Sequence, residues 1–133
     1  MSSHTYTRYD TELDKLTEQV ERMGDHVSMQ MSLLLKSIEE LPSETNLDDV
    51  IESDITINGM EVKASKTVLK LLARRAPVGK DLRMIIVASR VITELERVGD
   101  ETVTIARALK ESKQPSPCAD SGVMVSTGAL LAS

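Results

Sequence analysis

Apolar side chains recur every three or four residues over three long stretches of the chain, and this spacing constrains the fold more than any other feature. A three-to-four-residue period is that of one face of an α-helix. It predicts three helices, at about residues 7–40, 47–75 and 80–110. Pro42 ends the first stretch, and Pro77 with Gly79 separates the second from the third. Short connections between long helices predict an all-α, antiparallel up-down-up three-helix bundle over residues 1–112.

The composition agrees with helices packed on helices. The 133 residues include two Tyr and no Phe or Trp, so Leu, Ile, Val, Met and Ala must fill the core. The net charge of −5 and the absence of a basic stripe argue against nucleic acid as a partner. A single cysteine, Cys118, fits a reducing compartment. The polar N-terminus and the lack of any apolar run near ~20 residues predict a cytoplasmic chain that does not insert into membranes.

The most regular apolar stripe of each helix is predicted to face the core. On the first helix it comprises Leu13, Leu16, Val20, Met23, Val27, Met31, Leu34 and Ile38. On the second it comprises Ile51, Ile55, Val62, Leu69 and Leu72. On the third it comprises Met84, Val87, Val91, Leu95, Val98, Ile105 and Leu109. A shorter apolar line beside the third stripe, through Ile85 and Ile92, predicts that this helix is buried on two sides or lies at an interface.

The dipeptide Asn58-Gly59 leaves two possibilities open in the second helix. Asn-Gly is a strong turn signal. The flanking apolar pattern stays helical, and it favours an uninterrupted helix.

An unusual pentapeptide occurs twice. It reads ERVGD at Glu96–Asp100 and ERMGD at Glu21–Asp25. In each copy the two carboxylates are four residues apart, so they lie on one helix face, one above the other. Both pairs are predicted to point away from the core, at equivalent positions on the parallel first and third helices. The two acidic pairs are therefore expected side by side.

Three explanations for the repeat are open. The carboxylates could form a solvated face, with Arg22 and Arg97 as local ion-pair partners. Gly24 and Gly99 could instead mark close helix packing, since a glycine in a helix interior costs about 1 kcal/mol relative to alanine. The third explanation is a metal site.

A metal site would draw its ligands from Glu21, Asp25, Glu96 and Asp100. Carboxylate oxygens without nitrogen or sulfur suit magnesium, manganese, calcium or iron, and zinc less well. No Glu-x-x-His motif of the di-iron carboxylate bundles is present, which argues against an oxygen-activating enzyme. No phosphate loop, nucleophile elbow or Cys-His constellation occurs either, so the chain is not expected to be an enzyme.

Two segments carry a resemblance to a known family. They are ARRAPVGKDLR at 73–83 and ELERVGDE at 94–101. A P-x-x-x-D-L-R turn followed by L-E-R-[IV]-G-D on the third helix resembles the PhoU family, the accessory proteins of phosphate-specific transport systems. The resemblance covers about residues 4–110.

The resemblance implies a function as well as a fold. PhoU proteins are cytoplasmic, all-helical and usually dimeric, and consist of two similar three-helix bundles. They act as negative regulators of phosphate uptake and of the phosphate-starvation regulon, connecting the ATPase subunit of the Pst transporter to a sensor kinase. Members bind surface metal clusters through paired E(D)xxxD motifs. The matching residues here are Glu96 and Asp100 and, more loosely, Glu21 and Asp25, with iron, manganese, magnesium or zinc as the implied metal.

The chain departs from the family in two respects. It contains the first bundle only, and the resemblance ends near residue 113. Residues 113–133 are rich in helix breakers and are expected to form an irregular, disordered tail. We interpret the sequence as a truncated or frame-shifted family member. The alternative interpretation is a vestigial or structural helical fragment that self-associates and has lost regulation.

Overall fold

Three helices make up the fold. The computed structural model describes residues 7–40 and 44–113, in which the helices are α1 (Arg8–Glu39), α2 (Glu44–Arg75) and α3 (Gly79–Lys113). Every pair of helices is in contact, so the predicted all-α three-helix bundle is confirmed. The disordered tail was predicted for residues 113–133. Lys113 is instead the last residue of α3, and residues 114–133 lie outside the described residues.

Ion pairs near the helix ends show the antiparallel arrangement. Arg75, the last residue of α2, lies 3.0 Å from the carboxylate of Glu12 in the second turn of α1. Lys110, near the end of α3, pairs with Asp48 near the start of α2. The first and third helices therefore run parallel to each other and opposite to the second.

The helix ends follow local sequence signals. Thr7 caps α1: its hydroxyl accepts a hydrogen bond from the Asp10 backbone, while its own N–H donates to the Asp10 carboxylate. Between α2 and α3 the backbone takes a positive φ at Ala76 (44°) and again at Gly79 (59°). Gly79 adopts a positive φ without steric cost, whereas Ala76 does not because it carries a Cβ.

The helix α2 begins at Glu44, three residues before the predicted start. It continues unbroken through Asn58 and Gly59, so the uninterrupted helix is confirmed. A Cβ added to Gly59 would meet no heavy atom within 4 Å, because this part of the helix faces open space.

The core face of α1 is largely the predicted one. Leu16, Met23, Val27 and Leu34 are buried, whereas Met31 and Ile38 are exposed. Two polar side chains occupy the buried positions next to those exposed residues.

These polar side chains are Gln30 and Ser37. The Gln30 amide nitrogen donates to the backbone oxygen of Val50 (3.2 Å) and to the hydroxyl of Ser53 (2.9 Å). The Ser37 hydroxyl donates to the backbone oxygen of Leu33 (2.9 Å). Hydrogen bonding lowers the cost of burying a polar group, and it satisfies the Ser37 hydroxyl and the Gln30 amide nitrogen. The Gln30 amide oxygen, by contrast, is buried without a partner among the described residues.

The predicted core face of α2 is wrong. Ile55 is 77% exposed and Leu69 is 65% exposed. The opposite face is buried instead, and its core residues are Leu47, Val50, Ile57, Ala64, Val68 and Leu71. Because α2 carries two apolar stripes, spacing alone could not show which of them meets the other helices.

The main stripe predicted for α3 is also wrong at most positions. Met84, Val87, Val91 and Ile105 are exposed. The shorter line predicted beside it is the true start of the core face, which comprises Ile85, Ile92, Val103 and Ala106.

Gly99 lies on this core face of α3. It is buried on the same face as Ile92, and a Cβ added there would lie 3.5 Å from the Gln30 amide oxygen and 3.8 Å from the Ile57 side chain. Ile57 of α2 therefore packs beside the α3 backbone at this position. Both distances are ordinary van der Waals contacts, so the space at Gly99 does not by itself require a glycine.

Candidate metal centre

The ERVGD segment lies beside α2 rather than pointing away from the core. At about 100° per residue, Glu96 lies roughly 40° around α3 from the buried Ile92, and Asp100 roughly 80°. Glu96 is accordingly half-buried, whereas Asp100 is exposed. The predicted outward direction was wrong for Glu96, because it was measured from a stripe that does not form the core.

Three other carboxylates act on Glu96. Burial raises the pKa of the Glu96 carboxyl above its ordinary value, and the negative charges of Glu61, Asp100 and Asp54 raise this pKa further. Two of these groups belong to α2 and one belongs to α3 itself. We call Asp54, Glu61, Glu96 and Asp100 together the α2–α3 acidic face.

The α2 members of this face are only partly satisfied by neighbours. One Asp54 carboxylate oxygen accepts a hydrogen bond from the Asn58 amide (3.3 Å), while the other is buried without a partner. A Glu61 carboxylate oxygen accepts from the Ser65 hydroxyl (2.9 Å). Burying a carboxylate oxygen without a hydrogen bond is costly, so the unpaired oxygen of Asp54 is a position where a cation would be stabilising.

Sequence reasoning missed Asp54 and Glu61 as site residues. They are seven residues apart, which places them on one face of α2 two turns apart. That spacing was a usable signal, but with the α2 core assigned to the wrong face it could not be connected to Glu96.

The ERMGD segment is placed differently. Glu21 and Asp25 each stand two residues from the buried Met23, hence about 160° around α1 from it, and both are exposed. Neither is among the groups that raise the pKa of Glu96. The two copies of the pentapeptide are therefore not equivalent in the fold.

The glycines of the two copies also have different surroundings. A Cβ added to Gly24 would meet only the Leu95 side chain, at 4.0 Å, whereas a Cβ added to Gly99 would contact Gln30 and Ile57. All of these distances are ordinary contacts, so close helix packing does not by itself explain either glycine.

Local ion pairing does not neutralise the acidic face. Arg97 lies 3.9 Å from Glu94, and both side chains are largely exposed. Such a pair contributes only about 0.3–0.5 kcal/mol. The arginine inside the pentapeptide is therefore paired with an acid outside the α2–α3 acidic face.

The chemistry of the acidic face fits a hard cation, although its side chains do not converge. Oxygen donors suit magnesium, manganese or iron, and a bound cation would offset the repulsion that raises the pKa of Glu96. Across residues 7–40 and 44–113, however, no three Asp, Glu, His or Cys side chains lie close enough together to hold a metal ion. The structure does not gather Glu21, Asp25, Glu96 and Asp100 into one group, and metal binding stays a prediction.

No helix in the described part of the chain is both long enough and apolar enough to cross a membrane.

Comparison with known proteins places this sequence in a family. The family model described as "PhoU domain" matches residues 8–109, which include α1 and α2 completely and all of α3 except its last four residues. No solved structure matches the chain significantly.

Several relatives match over most of this chain. The "Phosphate-specific transport system accessory protein PhoU" of Escherichia coli (strain K12) is 34% identical over 119 residues, covering 88% of this chain and 49% of that protein. A homologue from Clostridium acetobutylicum is 31% identical over 103 residues, which cover 77% of this chain and 47% of that protein. A homologue from Burkholderia sp is 30% identical over 106 residues, which cover 80% of this chain and 45% of that protein. The chain spans about half the length of these relatives. Because the PhoU-domain model matches residues 8–109, across all three helices, the chain belongs to the PhoU family.

Proposed function

We propose that the chain is a non-enzymatic accessory protein of a phosphate-specific transport system. It acts in the cytoplasm as a negative regulator of phosphate uptake and of the phosphate-starvation response. The observation that carries the proposal is the PhoU-domain match over residues 8–109, together with relatives named as phosphate-specific transport accessory proteins. In this role it is an adaptor between the transporter's ATPase subunit and the phosphate sensor kinase.

The α2–α3 acidic face is the proposed metal site. Glu96 and Asp100 would hold the ion from α3, with Asp54 and Glu61 contributing from α2. Support comes from the pKa of Glu96, which burial raises and three neighbouring carboxylates raise further, and from the unpaired buried oxygen of Asp54. Iron, manganese, magnesium and zinc are the candidate metals, and the ion would supply charge neutralisation between two helices. Glu21 and Asp25 stay a second, weaker predicted pair on the exposed face of α1.

The regulatory role can be tested in cells that lack their own full-length accessory protein. Such cells are expected to express alkaline phosphatase even in high phosphate, and expression of this chain should restore repression. Immunoblotting must show that the chain accumulates. Constitutive alkaline phosphatase activity in the presence of accumulated chain would contradict the proposal.

A second candidate function is a self-associating helical fragment without regulatory activity. Exposed apolar side chains favour it, because Ile55, Val62 and Leu69 recur every seven residues on the outer face of α2. A seven-residue apolar repeat is typical of helices that pack against another helix. The homodimer implied by the family would use the same kind of contact.

Two measurements separate these candidates. Molecular mass by size-exclusion chromatography with light scattering, at several concentrations, detects self-association. A pull-down with the purified transporter ATPase subunit detects the adaptor role. An oligomer that fails to bind the ATPase subunit favours the self-associating fragment, and ATPase binding favours the regulator.

A further inference from the structure

A cleft between α1 and α2 is lined mostly by charged side chains. It has a volume of about 200 Å³, and its lining residues are Lys15, Glu18, Gln19, Arg22, Met60 and Lys63. At about 30 Å³ per water molecule, that is room for roughly six waters, enough for a tetrahedral oxyanion with part of its hydration.

The cleft gathers positive charge in an acidic protein. Three of its side chains are cationic and one is anionic, an excess of two positive charges, whereas the whole chain carries a net charge of −5. Within the described part of the chain, none of Lys15, Arg22 and Lys63 forms an ion pair with another residue. The cleft therefore keeps its excess of two positive charges, without a direct ion pair from any described residue to its cations.

Two helices bring these groups to one cleft, where the side chains of Lys15, Arg22 and Lys63 are exposed. Lys15 and Arg22 are seven residues apart, so they project from one face of α1 two turns apart, and Lys63 approaches from α2. Met60 is half-buried and packs against the core residues that include Leu16, Met23 and Ile57. Gln19 also lines the cleft, and its amide oxygen is buried without a hydrogen-bond partner. An ordered core beneath the cleft limits the rearrangement that a ligand would require.

We propose that this cleft binds a doubly charged oxyanion of the phosphate class, either free inorganic phosphate or a phosphoryl group on a partner. A phosphoryl group carries a charge of about −1.5 to −2 near neutral pH, which matches the excess charge of the cleft. The planar guanidinium of Arg22 can donate two parallel hydrogen bonds to such a group, and the two lysines add point charges. The amide nitrogen of Gln19 can supply neutral donors, whereas its buried, unpaired oxygen only accepts hydrogen bonds and would not bind the anion.

The cleft proposal does not rest on the acidic face or on the regulatory role. None of the four acidic-face residues lines the cleft, so loss of metal binding and loss of oxyanion binding would be separate results.

Isothermal titration calorimetry on the full chain tests the proposal with two probes, inorganic phosphate and a phosphoserine peptide. Ionic strength is held constant with sodium chloride. The test variant is Arg22→Gln with Lys63→Gln. The matched control is Lys66→Gln with Lys70→Gln, which removes the same charge from exposed α2 positions outside the cleft. Circular dichroism checks that both are folded, and Lys15→Gln replaces the test variant if it is not.

The expected result is saturable one-site binding of at least one probe, weakened at least tenfold in the test variant and less than twofold in the control. Binding of inorganic phosphate alone identifies a free oxyanion as the ligand, and binding of the peptide alone identifies a phosphorylated partner. Absence of saturable binding by both probes overturns the proposal, as does equal weakening in the control variant.

Discussion

Ile57 and Ile55 offer a direct test of how α2 is oriented in the bundle. They are the same residue type, two positions apart on one helix, but Ile57 is 0% exposed and Ile55 is 77% exposed. Replacing Ile57 with alanine removes three buried carbons, worth about 2.4 kcal/mol at ~0.8 kcal/mol each. The cavity left beside Gly99 adds to this, so Ile57→Ala should lower the free energy of unfolding by about 3–4 kcal/mol.

The matched substitution Ile55→Ala should have little effect. With 77% of the side chain already exposed, about a quarter of the transfer term is lost, or roughly 0.5 kcal/mol. The higher helix propensity of alanine offsets a few tenths of a kcal/mol of this loss. The variant should therefore unfold within about 0.5 kcal/mol of the parent.

Urea unfolding followed by circular dichroism at 222 nm measures both values, since the chain has no tryptophan for fluorescence. Low protein concentration keeps self-association through Ile55 from contributing. At about 4–8 °C per kcal/mol, Ile57→Ala should also lower the midpoint of thermal unfolding by at least ~12 °C. A loss for Ile55→Ala as large as that for Ile57→Ala would refute the orientation of α2.

Two further predictions concern glycines and one concerns pH. Gly59→Ala should raise the free energy of unfolding by about 0.5–1 kcal/mol, because the added Cβ meets nothing and alanine favours helix. Gly79→Ala should lower it by about 1–2 kcal/mol, because the φ of 59° is unfavourable for a side chain; the same urea titration checks both. With a chelator present, Glu96→Gln should raise stability at pH 7.5, because the raised pKa means that ionised Glu96 opposes folding. Glu96 becomes protonated as the pH falls through its folded-state pKa toward the unfolded value of about 4.3, so the stability advantage of Glu96→Gln should shrink over this range. A stability advantage that does not depend on pH would contradict the prediction.

The helices were predictable because local signals specify them. The three-to-four-residue apolar period and the breakers Pro42, Pro77 and Gly79 are properties of short segments, so they can be read without knowing what the segments contact. The persistence of helix through Asn58-Gly59 followed from the same flanking pattern.

Core faces were less predictable because they depend on contacts between helices. Gln30 and Ser37 look like surface residues in the sequence, yet hydrogen bonds to α2 and to the preceding turn let them be buried. The helix α2 carries two apolar stripes. The buried stripe is the one that contains Ile57, which packs beside Gly99 of α3.

The candidate site shows the same division. Glu96 and Asp100 could be identified from their spacing and from the resemblance to a known family. Their partners Asp54 and Glu61 could not, because placing them beside Glu96 requires the correct rotation of both α2 and α3. Glu21 and Glu96 were expected at equivalent positions, but Glu21 is exposed and Glu96 is half-buried. This expectation was wrong because it used the wrong core face of α3.

The metal content of the purified chain tests most directly whether the α2–α3 acidic face is a metal site. Elemental analysis should follow incubation with iron, manganese, magnesium or zinc and removal of unbound ions. We expect bound metal in the parent chain, its loss in Glu96→Ala with Asp100→Ala, and its retention in the control Asp14→Ala with Glu18→Ala, an exposed acidic pair with the same spacing on α1. Equal metal content in the parent and the Glu96/Asp100 variant, or no retained metal in the parent, would contradict the account.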